Sequence, residues 1–361
     1  PKPPVAPPKP PVTTPVAPPK PPVVPIPDSG LSDIDRMSIA REQYKITKIV
    51  KDTYNQYTFS CSNPSGGVIT ASFRDNVKSG YKVYDNGISY IGQAMPQLPI
   101  SLYQSVGLTE AQAKALRYVS MHEGKYDAIN TYDKAIFSFG FIQFTGSSIT
   151  GGGSLGILLA FYKQNCPDLF KRYFSAVGIE VHFNIKNNLI DVSMPTTVSV
   201  INEMTGEKAT GDDAWKYMKD HLPLIGPFIQ SAYEPSMVRE QLRVAAMMYV
   251  STALNLKVNV PVFGKPFPIP AISQVLRSEG AMTMLIDLCV NRGAGGLAKV
   301  IVPAITAIAE SVNVASLADL CNISDLDVAN MLITQNLAED RIVKRTQSII
   351  DAGLSFAKGF V

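Results

Sequence analysis

"MHEGKYDAINTYDKAIFSFGFIQF" runs from Met121 to Phe144 and sets carboxylates and a glutamine among aromatic residues and glycines. Neither a core helix nor an ordinary solvated loop has that composition. Thr109 followed by Gln112 is a capping box opening the preceding run "EAQAKALRYVSMHEG". Ala111, Ala115, Leu116 and Val119 form its apolar stripe, and Gly124 marks its end. Glu123 therefore falls on the last turn of a capped helix, where the negative end of the macrodipole disfavours another negative charge. Met121, Tyr126 and Tyr132 would add partial desolvation. Both effects raise a carboxyl pKa, as a general acid working near neutrality requires. The competing reading is a glutamate that frays into solvent.

Working outward, residues 41 to 99 carry a period of two, in "YKITKIV", "YTFSCS", "VITASF", "YKVY" and "ISYIG". Asn86-Gly87 between the last two is a two-residue hairpin signal. These runs predict a small antiparallel, barrel-like β module over 31–99. Tyr44, Tyr54, Tyr57, Tyr81, Tyr84 and Tyr90 are read as half-buried cross-strand partners in preference to a ligand face. Residues 1–30 repeat PKPPV from Pro1, Pro8 and Pro19, a density that excludes helix and sheet and favours an extended polyproline linker. From residue 100 to 361 helical patterns dominate: "SLGILLAFYKQ", "SMVREQLRVAAMMYVSTALN", "AMTMLIDLCVN", "LAKVIVPAITAIAESV" and "AEDRIVKRTQSIIDAGLSFAKG". "VGIEVHFNIKNNLIDVSM" reads as extended structure between helices. The expected class is α+β, a mainly helical domain preceded by the β module and the proline-rich arm.

In "SFGFIQF", Gly140 lets backbone approach a ligand and Gln143 offers an amide. The run resembles the lysozyme-like superfamily, specifically lytic transglycosylases and goose-type lysozymes. There a catalytic Glu ends a helix and a Gly-Leu-Met-Gln segment follows about twenty residues later; Gln143 lies twenty residues after Glu123. Tyr126 takes the place of the family's aromatic residue three after the Glu. "DLCVNRGAGG" puts Asn291 and Gly293 in the pattern of the family's Ala-Tyr-Asn-Ala-Gly segment. Gly124 stands where the family usually has Ser, and Val290 where it has Tyr. The gap from Gln143 to Asn291 is long for the family and implies an insertion near 175–230.

The resemblance implies a muramidase in which Glu123 protonates the glycosidic oxygen between N-acetylmuramic acid and N-acetylglucosamine. Tyr126, Gly140, Phe141, Gln143, Asn291 and Gly293 would bind the glycan. The substrate's acetamido group could stabilise the oxocarbenium-like centre, and Glu123 could then take the proton of the 6-hydroxyl, leaving a 1,6-anhydro end. A hydrolytic route needs a second carboxylate to place water, and Asp133 is the candidate, against its reading as a turn residue in "NTYDK". No cofactor and no metal are implied. Peptidoglycan glycan strands would be the partner, in an extracytoplasmic or virion-associated setting, with the arm or β module as a link to a larger assembly. Two other readings stay open: a structural or wall-binding protein that kept a lysozyme-like fold without turnover, and a chitinase or chitosanase.

Composition narrows the rest. A net charge of +3 lacks the concentrated positive charge of a nucleic-acid binder. Cys61, Cys166, Cys289 and Cys321 are too scattered for a zinc site, and no apolar run reaches the length of a membrane span. The chain opens on Pro1 rather than Met, so it is read as a processed product or part of something longer. "GGSLG" around Ser154 matches a nucleophile elbow in letters but lacks the alternating strands and helices that motif needs. His122-Glu123 begins like a zincin motif, but Tyr126 replaces the second histidine. Arg341, Lys344 and Arg345 could touch a polyanion but are read as a solvated helix face.

Overall fold

A computed structural model describes residues 32–75, 80, 82–94, 98–147 and 153–358. The proline-rich arm, Tyr81 and Gly152 lie outside the described residues. The fold is α+β, with 48% helix against 18% strand.

Ser32 and Asp35 close a capping box that opens α1 (Asp33–Glu42). The alternation that follows becomes β1 (Lys45–Val50), β2 (Asn55–Ser62) and β3 (Val68–Arg74). Ile69, Ala71 and Phe73 face inward while their neighbours are exposed. Arg74 then pairs with Ser89 of β4 (Ser89–Tyr90). β4 pairs with β5 (Ile129–Asn130), followed by β6 (Ser138–Phe139) and β7 (Phe144–Thr145). One antiparallel sheet of seven strands, in sequential order, therefore crosses the boundary expected near residue 99. It is an open meander with β1 and β7 at its edges, so the expected barrel-like module is the first part of a larger sheet.

The Asn86-Gly87 hairpin does not form. The amides of Val83 and Tyr84 both donate to the carbonyl of Tyr132, and Gly87 closes a turn onto Tyr84 O. A Cβ on Gly87 would stand 2.3 Å from Tyr132 Cα, so glycine is there for close backbone approach. Tyr44 and Tyr90 are core residues, and Tyr54, Tyr57 and Tyr84 are half-buried.

Helices supply the second layer. α2 (Ile100–Gln104) precedes α3 (Glu110–His122), whose Thr109–Gln112 capping box has both reciprocal hydrogen bonds. α4 (Ser154–Asn165) and α5 (Pro167–Tyr173) lead into the segment expected to be extended. There β8 (Ile179–His182), β11 (Thr197–Ile201) and β12 (Lys208–Thr210) form a sheet, and β9 (Ile185–Lys186) pairs with β10 (Leu189–Ile190). α6 (Asp212–Asp220), α7 (Gly226–Ser231) and α8 (Pro235–Ala245) follow. The single helix expected over 236–255 is interrupted by a π turn at Ala246–Val250 before α9 (Ser251–Leu254).

The hairpin of β13 (Val258–Val262) and β14 (Lys265–Ile269) was obscured in sequence by its prolines. Its turn residues Phe263 and Gly264 both have positive φ. α10 (Glu279–Ser311) joins two expected helices in one run that breaks at Gly293 (φ 68°). By length and composition α10 could cross a membrane. It also packs against α3 in the core, with buried residues on both sides of the break. α11 (Leu317–Leu320), α12 (Asp325–Gln335) and α13 (Asp340–Asp351) complete the fold. α13 stops short of its expected end because residues beyond Gly353 turn back, placing Phe356 against Gly280 and the Ser355 carbonyl on the Gly280 amide.

Sheet and helices are welded where α7 crosses β2. Tyr44 stacks on Phe59, and its hydroxyl donates to Gln230 Oε1 at 2.9 Å. Gln230 Nε2 donates to Ser62 O at 2.7 Å. A Cβ on Gly226 would lie 2.3 Å from the Tyr44 ring and 2.9 Å from Phe59. Gly226→Ala should therefore cost about 1–3 kcal/mol by overpacking a rigid aromatic contact. Urea denaturation followed by circular dichroism should show a lowered midpoint in one cooperative transition; an unchanged midpoint would mean the weld yields easily.

Candidate functional site

The last turn of α3 delivers Glu123 as its C-cap residue, with φ −100° and ψ −144°. Gly124 follows the C-cap, as expected of the residue that marks the helix end, without a left-handed backbone. Its amide donates to Phe141 O at 2.7 Å, carrying the chain directly onto the 140–143 loop. A Cβ here would lie 3.0 Å from Ala128 Cβ and 3.4 Å from both Gly140 O and Gln143 Nε2. A serine at this position would press on all three.

The loop is shaped from below. Gly140 has φ 85° and would set a Cβ 2.4 Å from Gln241 Oε1. Gln241, fully buried on α8, accepts from Phe141 N (3.2 Å) and donates to Tyr126 O (2.9 Å). Gln143 is itself left-handed (φ 56°), donating to Gly140 O at 2.8 Å and accepting from Asn130 at 2.6 Å. That leaves one amide hydrogen and one lone pair for a ligand. Asp127, buried between, accepts from Tyr90 OH (2.7 Å) and from the amides of Gln93 and Ala94 (2.8 Å each), tying the loop's base to β4.

Three expected contributors do not face a cleft. Tyr126 and Phe141 are core residues with ring centroids 5.0 Å apart, and Tyr126 OH pairs with Tyr103 OH at 3.2 Å. Their side chains form the wall behind the loop, because an aromatic ring gains more from burial than from a wet surface. Asp133 closes an Asx turn, accepting from the amide of Ala135 at 2.9 Å, and does not point its hydrogen bond toward Glu123. Burial still holds its carboxyl above the ordinary value. Gly293 is exposed at the break in α10.

Asn291 does reach the acid: its Nδ2 donates to Glu123 Oε1 at 3.4 Å and to Asp287 O at 2.8 Å. The second carboxylate of the site is Asp287, one helical turn earlier on the same face of α10. Arg345 of α13 spans the two acids. Its Nη2 lies 2.7 Å from Glu123 Oε1 and also bonds Asp287 Oδ1, while Nη1 donates to His122 O at 3.0 Å. Arg341 approaches Glu123 at 4.0 Å from one turn away. The solvated face expected for Arg341, Lys344 and Arg345 therefore fails for Arg345 alone: Lys344 pairs with Asp340 in the open, and Arg341 stays exposed while approaching Glu123. The available signal was the i, i+4 spacing of Asp287 with Asn291 and of Arg341 with Arg345.

Enclosure leaves the Glu123 side chain 13% exposed. Met121 has no part in it, being exposed; the covering groups come from α10 and α13. Desolvation raises the Glu123 carboxyl above the ordinary value and Asp287 adds to the rise, while Arg345, Arg341 and Asn291 oppose it. Such a group can hold a proton and pass it to an acceptor oxygen. Ser154, by contrast, opens α4 with its Oγ accepting the Thr145 amide at 2.9 Å, the position of a helix-end residue and not of a strand-borne nucleophile.

Comparison of the chain with protein-family models, with curated proteins and with solved structures found no match.

The balance of charges gives a signed test. Arg345→Gln removes a positive charge and should raise the Glu123 pKa further, whereas Asp287→Asn removes a like charge and should lower it. Carboxyl ¹³C NMR titration of Glu123 reads both directly. No shift in either variant would show that the carboxyl titrates independently of this cluster.

Proposed function

We propose that the chain is a peptidoglycan-cleaving muramidase of the lytic transglycosylase type, with Glu123 as its acid and base. The observation that carries this reading is convergence. Asn291, 168 residues away in sequence, donates to the half-buried carboxyl of Glu123, and the next residue, Gly124, binds the Gly140–Gln143 loop through its amide. These are the segments whose letters resemble the lysozyme-like superfamily.

Protonated Glu123 gives its proton to the glycosidic oxygen as the bond to the muramic acid carbon breaks. The neighbouring acetamido oxygen shields the electron-poor carbon. Glu123, now a carboxylate, removes the proton of the sugar's 6-hydroxyl, whose oxygen closes the 1,6-anhydro ring. This route uses one carboxyl. A hydrolytic outcome would use a second one to orient water, and Asp287 stands nearer that role than Asp133 through their shared arginine. A chitinase or chitosanase would use the same acid. Work on peptidoglycan implies an extracytoplasmic or virion-associated setting, with the N-terminal arm or the β1–β3 end of the sheet linking to a larger assembly.

The ion pair between Arg345 and Glu123 favours a second reading, a structural or wall-binding protein whose acid is permanently neutralised. Incubating the whole chain with peptidoglycan sacculi separates the two. The wild type should release muropeptides with anhydro ends, and Glu123→Gln should release about 100-fold less or fewer still. Mass spectrometry of the soluble fraction decides. Equal release by both proteins removes Glu123 from the chemistry, and binding without release selects the structural reading.

A further inference from the structure

The acid site carries more guanidinium than its working form needs. While Glu123 is ionised, two carboxylates (Glu123 and Asp287) face two guanidinium groups (Arg345 and Arg341). The other charges around it are settled: Arg292 pairs with Glu339, Lys344 with Asp340, and burial beside Arg345 holds His122 below its ordinary pKa. Once Glu123 takes up the proton that acid catalysis requires, one positive charge is left without a partner. Arg345 keeps Asp287 and the His122 carbonyl, and its side chain is only 18% exposed. Arg341 keeps nothing. Its side chain is 70% exposed, and its sole ion pair among the described residues is the 4.0 Å approach to Glu123.

A planar, exposed guanidinium beside a protonated acid is suited to a second carboxylate, which it can grip with two parallel N–H···O bonds. We propose that Arg341, backed by Arg345, forms a carboxylate subsite on the rim of the acid site, and that it takes a carboxylate of the peptide stem borne by muramic acid. The identity of the ligand rests on the muramidase reading; the subsite rests on the arginines alone. Binding and protonation are then linked. The incoming carboxylate takes Arg341 from Glu123 and favours the protonated acid, and a protonated acid favours the incoming carboxylate. A neutral glycan such as chitin supplies no such trigger, so the same arginines separate peptidoglycan from the uncharged polymers.

The test uses the whole chain carrying Glu123→Gln, which cannot turn over and which mimics the protonated acid. The ligands are a disaccharide-tetrapeptide from peptidoglycan and the same molecule with its carboxyl groups methyl-esterified, titrated by calorimetry. The charged form should bind about tenfold tighter than the ester, the gain expected of one charge-assisted pair. Adding Arg341→Gln, at a position too exposed to disturb folding, should bring the two affinities close to parity. In the chain with Glu123 intact, the preference for the charged ligand should grow as pH falls through the titration of Glu123. Equal binding of acid and ester, or a preference that survives Arg341→Gln, would overturn the subsite. Failure of the muramidase reading looks different: no release from sacculi, with the charge preference and its loss in the arginine variant both intact.

Discussion

The amide of Gly124 donates to the carbonyl of Phe141 at 2.7 Å, and the site depends on that contact. It fixes the end of α3 against the loop that faces it, so that Glu123 leaves the helix at a defined angle. A side chain at position 124 would push on Ala128, on Gly140 and on Gln143. The loop in turn holds its shape through two left-handed residues, Gly140 and Gln143, and through the buried amide of Gln241. A left-handed glutamine is costly for an L-residue, and here two hydrogen bonds of its own side chain offset the strain.

Around this contact the chain places charge with little water to screen it. Arg345 lies 222 residues from Glu123, yet it spans Glu123, Asp287 and a carbonyl of α3. Its helix is held in place independently of those charges, since Tyr118 donates to Ser348 O and Ile342, Thr346 and Ile349 are buried. One guanidinium between two carboxylates cannot neutralise both, and Asp287 accordingly pushes the Glu123 carboxyl upward while Arg345 pulls it down. Burial is the first cause of the raised carboxyl, and this competition of charges acts on top of it.

Local chemistry made much of the fold legible. The capping box at Thr109 located α3, the alternation in "VITASF" located β3 and its buried face, and the extended character of 177–194 located β8, β9 and β10. Asn86-Gly87 misled because its glycine answers to the backbone of Tyr132, a neighbour 45 positions away that no hairpin rule contains. Tyr126 and Phe141 misled in the opposite sense, since an aromatic residue near an acid reads equally well as a cleft wall or as the core behind it. Prolines hid the β13–β14 hairpin, where they sit at positions that donate no ladder hydrogen bond.

The amino-acid sequence by itself determined where helices begin, which faces are apolar, and that Glu123 ends a helix near a glycine-glutamine loop. Each of these follows from interactions within a few residues along the chain. Only the tertiary structure decided that one sheet joins the N-terminal strands to the site loop, that Asp287 and not Asp133 is the neighbouring carboxylate, and that Arg345 closes over the acid with Arg341 at its rim. Those are long-range contacts, set by how α3, α10 and α13 pack, and a charge on a helix face has no partner until packing supplies one.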